Sequence, residues 1–408
     1  MPLSRAEREA VAAARARSGA APAVVLDVMF TNGLSAVRAL AALDVPVVAV
    51  DHRRAALGLH SRLAVPVLAP DPLADEAGYL EVLAAVAEAC GERSVAFPTQ
   101  DAGMVLVARE AARLPGMALA GSGWDVIGPL LAKRTQLEAA RRAGVPVPPT
   151  WCPDDRASAE QAAAEVRYPA IVKPSVGIAF KAREGRPVIE AHTPEELLAA
   201  WDRAHDSGDE LLVQEVVPGG DDALWTVGSY TSGGGRELVG TFCGRKLAQM
   251  PPRFGTCRVG EARWSDEAVN LARALLVTVG YDGIAQTELK RDPRDGTFRL
   301  MELNTRLWQW HSLARRCGVD LVAMAYAGAT GGRPRTAQSG PRHDGRRWVP
   351  IVPSWRAGRA AGESRRTLLR QSAGLVEEPI LSLRDPEPGA RVVAGAVLGR
   401  IRRRGRRP

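Results

Sequence analysis

Two carboxylates and an amide fall at alternating positions of neighbouring sequence segments. Residues 284–292, IAQTELKRD, contain Glu288, and residues 297–306, TFRLMELNTR, contain Glu302 and Asn304. A PRDG turn joins the two segments, so they are predicted to form a β-hairpin. Because alternate side chains share one face of a strand, pairing of the strands brings Glu288 close to Glu302 and Asn304. Hard oxygen ligands of this kind suit Mg²⁺, which bridges nucleotide phosphates.

The second strand of this hairpin also predicts which side chains share a face. Regular alternation directs Met301 and Leu303 towards a core, and it gives the opposite face to Phe298, Leu300, Glu302, Asn304 and Arg306. Arg306 is then placed to hold a phosphate during its transfer. The alternative interpretation is a solvated strand face on which Lys290 makes an ordinary salt bridge.

Two lysines and a hinge-like segment precede the hairpin. Lys173 ends a buried strand, PAIVKPS, and Lys133 opens a helix, where its charge opposes the helix dipole. Both positions favour a bound anion, although a surface salt bridge is the commoner explanation for a single lysine. Residues 213–222, VQEVVPGGDD, predict a strand that runs into a Pro-Gly-Gly bend, either a plain β-turn or a hinge between lobes. The backbone of such a hinge can pair with an adenine edge, and an acid after it can hold ribose hydroxyls.

Four apolar runs alternate with helical segments in the first third of the chain. The runs are AVVLDVM, VPVVAVD, VPVLAP and SVAFPT, and this rhythm predicts a doubly wound parallel sheet. Polar residues follow two of these strands: Asn32 lies in the turn after the first, and Gln100 and Asp101 follow the fourth. The Asn32 turn is not a GxGxxG fingerprint; it holds either a small ligand or a helix cap made by Asn32 or Ser35.

Four further segments carry additional predictions. SVGIAFKAREG, which follows Lys173, is predicted to be a flexible loop, and AQMPPRFGTCRVG a second loop. After about residue 335 the pattern weakens and Arg, Gly and Pro become frequent, so no elements are assigned there. Trp308, Trp310 and His311 follow the hairpin; they either line a substrate pocket or pack a lobe.

Composition and charge restrict the class of protein. The chain has 408 residues and a formal net charge of +8, and its last ten residues, GRIRRRGRRP, contain six arginines and no acids. The rest is nearly balanced, so no nucleic-acid partner is expected; the tail either contacts phosphates or anionic lipid or is a solvated, disordered end. The five cysteines form no CxxC pair, the N-terminus has no signal-peptide core, and no run approaches the roughly 18 apolar residues of a membrane span. We therefore expect a cytoplasmic protein with reduced thiols.

In this order, the segments resemble the ATP-grasp superfamily over about residues 23–330. The most specific part is GIAQTELKRDPRDGTFRLMELNTR, which is similar to the Mg-binding hairpin of that superfamily. GRKLAQMPPRFGTCRVGEARW resembles the carboxylate–amine ligase branch, which includes D-aspartate ligases. The resemblance implies an α/β and α+β architecture with an N-terminal arm (1–20), a doubly wound pre-ATP-grasp domain (21–122), linker helices with a small lobe (123–215), a large lobe with the Mg site (216–335) and a C-terminal extension with a basic tail (336–408).

The resemblance also implies roles for individual residues, which fall into four groups. The ATP-binding group is Lys133, Lys173, Gln214, Glu215, Val217 and Asp222 (or Asp221), with backbone groups of Glu215 and Val217 on adenine. The ligands of one or two Mg²⁺ ions, or of Mn²⁺ in their place, are Glu288, Glu302 and Asn304. The residues beside phosphate and substrate are Arg306, Arg245 and Lys246. The substrate group is Asn32, Gln100, Asp101, Trp308 and His311. The glycine-rich loop that the superfamily has after Lys173 is reduced here.

The implied activity is an ADP-forming ligation of a carboxylate to an amine through an acyl-phosphate. The expected partners are small molecules, an amino acid or a small peptide, and a homodimer is left open. Two rival interpretations remain at this point. One is a different ATP-grasp outcome, carboxylation or thioester formation, and the other is a non-catalytic nucleotide-binding protein.

Overall fold

The computed structural model describes residues 3–404, and within residues 178–179, 181–182 and 399–404 it describes the backbone only. Its strands form three sheets that follow one another along the chain. The first sheet has five parallel strands, β1 (Ala23–Leu26), β2 (Val47–Asp51), β3 (Val65–Leu68), β4 (Ser94–Pro98) and β5 (Met117–Leu119). Their order, β3-β2-β1-β4-β5, reverses between β1 and β4, as it does in doubly wound sheets.

Helices cover both faces of this sheet. They are α1 (Arg5–Ser18), α2 (Thr31–Ala41), α3 (Glu76–Cys90) and α4 (Asp101–Arg109). Val24 and Leu26 of β1 pack into an apolar cluster with α3, whereas Ala23 and Val25 pack into a second cluster with α2. All four residues of β1 are buried, as an apolar run in a parallel sheet requires. The predicted doubly wound parallel sheet is confirmed; β5 was missed because three residues show no periodicity.

The second sheet is small and antiparallel. The elements from the linker to its last strand are α5 (Trp124–Leu130), α6 (Lys133–Arg142), β6 (Thr150–Trp151), α7 (Arg156–Glu165), β7 (Ala170–Pro174), α8 (Gly177–Glu184), β8 (Ile189–Ala191), α9 (Pro194–His205) and β9 (Leu211–Glu215). The strand order is β6-β9-β7-β8. The flexible loop predicted after Lys173 is wrong, because this segment forms α8. Its single internal glycine starts the helix, and Phe180 anchors it in the core of this lobe.

The third sheet is larger and mostly antiparallel. Its elements are β10 (Leu224–Ser232), β11 (Glu237–Met250), β12 (Thr256–Ala262), α10 (Asp266–Val279), β13 (Gly283–Arg291), β14 (Phe298–Asn304), α11 (Ser312–Arg316) and α12 (Leu321–Ala329). The strand order begins β14-β13-β10-β11-β12. The loop predicted for AQMPPRFGTCRVG is therefore also wrong. Its two prolines and its first glycine mark only the turn at 251–255, and Gln249 pairs with Cys257 across the hairpin.

The C-terminal extension is folded, although its sequence predicted no elements. It contains β15 (Ala337–Gln338), β16 (Arg347–Trp348), α13 (Ile351–Ala360), α14 (Arg365–Ser372), β17 (Leu375–Glu377) and α15 (Glu387–Arg404). Strands β16 and β17 extend the large sheet beyond β12. The chain then returns to the first domain, where the buried Asp385 accepts hydrogen bonds from Arg38 and Ser61, each at 2.9 Å. The side chains of the Arg-rich tail, residues 399–408, lie outside the described residues.

The remaining sequence expectations concern thiols and membranes. All five cysteines are free, in agreement with the lack of a CxxC pair. Within residues 3–404, no helix combines the length and the apolar character that a membrane crossing requires.

Candidate active site

The acid pair of the hairpin is the centre of the candidate site. Glu288 of β13 lies directly opposite Glu302 of β14, and Gln286 lies opposite Asn304. Gln286 connects these residues, because its amide nitrogen donates to Glu288 Oε1 at 2.9 Å and its oxygen accepts from the Asn304 nitrogen at 3.3 Å. The Asn304 oxygen is left to serve as a ligand. The structure thus brings Glu288, Glu302 and Asn304 onto one face of the large sheet.

A β-bulge at Met301 sets the faces of β14. Leu289 pairs with Leu300 while Glu288 pairs with Glu302, so Met301 has no partner across the ladder. The face predicted for the first part of the strand is therefore wrong. Phe298 and Leu300 are buried in the same apolar cluster as Leu303, on the side opposite the acids. The extra residue resets the alternation, which is why regular period-two counting fails before Glu302.

Each acid of the pair faces a lysine. Lys246 Nζ lies 2.8 Å from Glu288 Oε1, and Lys133 Nζ lies 3.4 Å from Glu302 Oε1. Lys133 is the first residue of α6, and its backbone N–H donates to the Ser175 carbonyl at 2.9 Å. Burial raises the pKa of Glu302, but the charges of Lys133, Arg306 and Lys173 together outweigh it. The net shift of the pKa is therefore downward, and the carboxyl is charged at neutral pH.

Lys173 is the most strongly perturbed cation of the site. It is 5% exposed at the end of β7, and its Nζ donates to Gln214 Oε1 at 3.0 Å. Burial, and then the positive charge of Lys133, lower its pKa to about 8. Gln214 in turn donates to Thr150 Oγ1 at 2.7 Å, so the buried lysine is held by two strands of the small sheet. An unpaired buried ammonium of this kind favours an anionic ligand.

Arg306 joins this site to the first domain. Its Nε and Nη2 donate to the two carboxylate oxygens of Asp101, at 2.5 and 3.2 Å. Burial disfavours the charge of Arg306, but the charge and hydrogen bond of Asp101 outweigh this and raise its pKa. Asp101 is the first residue of α4, so it lies at the carboxyl edge of the parallel sheet. Gln100 precedes it and makes no side-chain cap bond to the helix.

Arg245 does not lie with Lys246, contrary to the role implied by resemblance. Neighbouring residues of β11 point to opposite faces of the sheet. Arg245 donates to Glu261 Oε2 at 2.9 Å, and Arg347 of β16 donates to the other oxygen of Glu261 at 3.0 Å. This second cluster ties the C-terminal extension to the large sheet. Only Lys246 of the adjacent pair faces the acids.

The hinge residues occupy the strand end that the sequence predicted. Glu215 ends β9, its N–H donates to the Pro149 carbonyl at 3.0 Å, and its side chain accepts from Arg294. Val217, two residues further on, is buried. The two acids that follow differ. Asp221 accepts two hydrogen bonds of 2.8 Å from Gln249 and is held by β11, whereas Asp222 is exposed.

Two residues of the predicted substrate group, Asn32 and His311, hold the first domain against the large lobe. The Asn32 amide nitrogen donates to the carbonyls of Thr99 and Leu307, at 2.9 and 3.3 Å. Asn32 is not the helix cap either, since α2 starts after Phe30 and its cap residue makes no side-chain bond. His311 is buried, with Nε2 at 3.0 Å from the Asn32 carbonyl, and burial lowers its pKa to about 4.

Of the two alternatives for Trp308 and Trp310, a substrate pocket or packing of a lobe, the structure shows packing. Trp308 is 2% exposed and lies so close to Gly228 that a Cβ there would be 2.0 Å from its ring. Trp310 is buried against Gly244 and Gly260 of the central strands in the same way. Small residues on the sheet make room for these rings, so neither ring lines an open pocket.

Sequence reasoning missed two glutamines that support the site. Gln286 was overlooked, although its position two residues before Glu288 on the same strand face was a usable signal. Gln136 is buried in α6, donates to the Leu303 carbonyl at 2.9 Å and accepts from its N–H at 2.8 Å. It therefore couples the helix that starts with Lys133 to the strand that carries Glu302. Gln136 and Leu303 are 167 residues apart in sequence, so no local sequence pattern predicts this contact.

The donor set fits a hard divalent cation. Two carboxylates on adjacent strands and one amide oxygen match the oxygen ligands that Mg²⁺ takes when it also binds phosphates and water. In the described part of the chain, no group of three or more His, Cys, Asp or Glu side chains is arranged to hold a metal. The candidate site has two such side chains, Glu288 and Glu302, so a phosphate ligand would have to complete the coordination.

Comparison with known proteins agrees with this geometry. No family model matches the chain. A D-aspartate ligase of Enterococcus faecium is 27% identical over 149 residues, which are 34% of this chain and 34% of the ligase. The small subunit of a 2-oxoglutarate carboxylase from Hydrogenobacter thermophilus is 25% identical over 56% of this chain and 50% of that subunit. The matches thus span about a third and a half of these curated relatives.

Solved structures share the architecture. The biotin carboxylase domain of the Hydrogenobacter thermophilus 2-oxoglutarate carboxylase, solved with MgADP, ADP and bicarbonate, superposes with a TM-score of 0.61. The match has 21% identity and covers 78% of this chain and 71% of that one. The predicted ATP-grasp fold is confirmed by this shared architecture.

Proposed function

We propose that this protein is an ATP- and Mg²⁺-dependent carboxylate–amine ligase. The observation that carries the proposal is the pairing of Glu288 with Glu302 among four cations. Lys133 and Lys246 contact the two acids, and the charges of Lys173 and Arg306 lower the pKa of Glu302. Such a cluster of opposite charges suits a nucleoside triphosphate with its metal ion better than it suits a solvated sheet face. The similarity to a D-aspartate ligase supports the amine acceptor.

In this proposal each side chain has a defined task. Glu288, Glu302 and the Asn304 oxygen hold Mg²⁺, whose positive charge neutralises the phosphate oxygens. Lys133 and Lys173 bind phosphates, the strand end at Glu215 and Val217 offers backbone groups to adenine, and Asp222 binds ribose. Asp221 is not available for this role because Gln249 holds it.

The reacting groups would meet between Lys246 and Arg306. A substrate carboxylate takes the γ-phosphoryl group, and ADP leaves. An amine then attacks the acyl carbon of the acyl-phosphate, so that the C–N bond forms, the C–O bond to phosphate breaks, and inorganic phosphate and a proton leave. Arg306 stabilises the negative charge of the acyl-phosphate. The chain positions these groups and supplies charge, and no protein nucleophile takes part. Burial raises the pKa of the Cys257 thiol far above neutral, so this thiol close to Lys246 remains protonated.

A pairwise screen of amino acids and small peptides tests the proposal. ADP release should require both a carboxylate and an amine, and mass spectrometry should detect the condensed product. Glu302→Gln keeps the shape of the side chain but removes its charge, and it should lower ADP formation roughly 100-fold. Glu267→Gln, on the exposed first turn of α10, is the matched control. Equal ADP formation by wild type and Glu302→Gln throughout the screen would mean that the acid pair is not catalytic.

A carboxylase is the second candidate, because the carboxylase subunit matches more of this chain than the D-aspartate ligase does. Bicarbonate in place of the substrate carboxylate would then take the γ-phosphoryl group with release of ADP. An acceptor would attack the resulting carboxyphosphate, phosphate would leave, and the product would be heavier by one carboxyl group. Coenzyme A is the corresponding test for thioester formation. A homodimer and a cytoplasmic location remain predictions from the sequence.

A further inference from the structure

The positive charge of this protein is concentrated at its C-terminal end. Residues 351–408 contain 13 arginines, no lysine and five acidic residues, an excess of eight positive charges. This excess equals the formal net charge of the whole chain, +8, so the first 350 residues are neutral on balance. The basic character therefore belongs to one segment outside the acid-pair site, and it favours an anionic partner there.

The same segment has a large share of the exposed apolar side chains. Among the described residues, 14 large apolar side chains are exposed, and seven of them lie between Leu369 and Leu398. Leu383 is 99% exposed, and Val397 and Leu398 of α15 are more than half exposed. Single exposed apolar residues need no explanation, but a concentration beside arginines does.

Three of these apolar residues follow one side of α15. Leu381 covers the start of the helix, since its Cδ2 atom would be 3.0 Å from a Cβ on Gly389. Val393 and Val397 come four and eight residues after Gly389, so they continue the same stripe along the next two turns. The C-terminal apolar surface consists of this stripe and two exposed residues next to it in sequence; its members are Leu381, Leu383, Val393, Val397 and Leu398.

We propose that the C-terminal apolar surface docks this protein onto an anionic lipid bilayer. Leucine and valine side chains enter the boundary between headgroups and acyl chains, and the arginines of residues 351–408 are attracted to anionic headgroups. A nucleic acid would satisfy the arginines, but it has no apolar phase to accept the exposed leucine and valine side chains. The docking is peripheral, because no described helix is suited to cross a membrane.

Vesicle co-sedimentation of the full chain tests the proposal. Binding is expected to vesicles with 30% phosphatidylglycerol and not to pure phosphatidylcholine, and it should weaken as salt increases. Leu383→Glu and Val397→Glu should each lower the partition constant about tenfold. The triple variant Arg402→Ser, Arg403→Ser, Arg404→Ser should lower the partition constant about 100-fold. Leu73→Glu is the matched control, since Leu73 is 60% exposed in the first domain and should bind as wild type does.

Three results would overturn the proposal. One is equal binding to both kinds of vesicle, and a second is unchanged binding of both glutamate variants. The third is binding of duplex DNA that is tighter than vesicle binding and insensitive to Leu383→Glu, which would assign the arginines to a nucleic acid. If Val397→Glu unfolds, Leu383→Glu remains a valid test of the proposal, because the Leu383 side chain is almost wholly in solvent. Circular dichroism and thermal unfolding of each variant provide the control for folding.

Discussion

Asp101 and Arg306 are separated by 205 residues in sequence and joined by two hydrogen bonds in the structure. Asp101 lies at the carboxyl edge of the parallel sheet, and Arg306 lies two residues after the end of β14. Under the proposed function this pair aims the guanidinium at the position of the acyl-phosphate. The N-terminal domain then contributes to catalysis by positioning a residue of the large lobe.

Substitutions at this pair should separate charge stabilisation by Arg306 from the positioning of Arg306 by Asp101. Arg306→Ala should lower kcat roughly 100-fold, because it removes charge stabilisation in the transition state. Asp101→Asn keeps Arg306 but loosens its position, so a loss of roughly tenfold in kcat is expected. Asp125→Asn, an exposed acid in the first turn of α5, is the control and should leave kcat unchanged. A wild-type kcat for Asp101→Asn would reduce the pair to a structural contact.

Lys246 and Arg245 provide a second test, because they are neighbours on opposite faces of β11. Lys246→Met removes the cation beside Glu288 and should lower kcat roughly 100-fold. Arg245→Met should leave kcat within about twofold but lower the free energy of unfolding by roughly 1 kcal/mol, since Glu261 loses one of its two arginines. Steady-state kinetics and urea unfolding of both variants measure this contrast. A large loss of kcat in Arg245→Met would contradict the assignment of faces.

The pH dependence of ATP use should report on Lys173. Its pKa is lowered from 10.5 to about 8, first by burial and then by the charge of Lys133. The folded state therefore binds fewer protons than the unfolded state between pH 8 and 10.5, and folding stability should rise with pH through this window. The phosphate-binding charge is lost as the pH rises through 8, so kcat/KM for ATP should fall about fivefold from pH 8 to 9. In Lys173→Met the overall value should be lower and this decline absent.

The bulge in β14 can be tested by stability alone. Leu300 is fully buried beside Leu289, whereas Met301 is partly exposed and unpaired in the ladder. Leu300→Ala should therefore lower the free energy of unfolding by about 3 kcal/mol, and Met301→Ala by about 1 kcal/mol or less. Regular alternation predicts the opposite order. Urea unfolding of the two variants decides between them.

The acid pair was predictable, and its immediate surroundings were only partly so. Period-two alternation and the PRDG turn suffice to bring Glu288 to Glu302, because both signals are local. Nothing in the residues around Met301 marks a bulge, so the faces before it were predicted wrongly. The separation of Lys246 from Arg245 follows from alternation along β11, whereas the family resemblance implied a place beside phosphate and substrate for both residues.

Long-range contacts explain most of the other differences. His311 and the two tryptophans near it have types that suit a binding pocket, and only the distant elements packed on them show that they are core residues. The helix after Lys173 is a local failure of another kind. The prediction for this segment was a flexible loop, although several of its residues, including Ala179, Lys181 and Glu184, are good helix formers.

The contact of Asn32 with Leu307 and His311 has a consequence for protein engineering. Specificity is often transferred by grafting one domain of an enzyme onto the body of another. Here the first domain is fastened to the large lobe through an asparagine whose partners are backbone carbonyls and a buried imidazole, and its helix α2 also holds the chain near Asp385 through Arg38. A chimera that exchanges the first domain must therefore also exchange both contact surfaces. Otherwise the new domain lacks the contacts of Asn32 and Arg38, even when the junction in the sequence is well chosen.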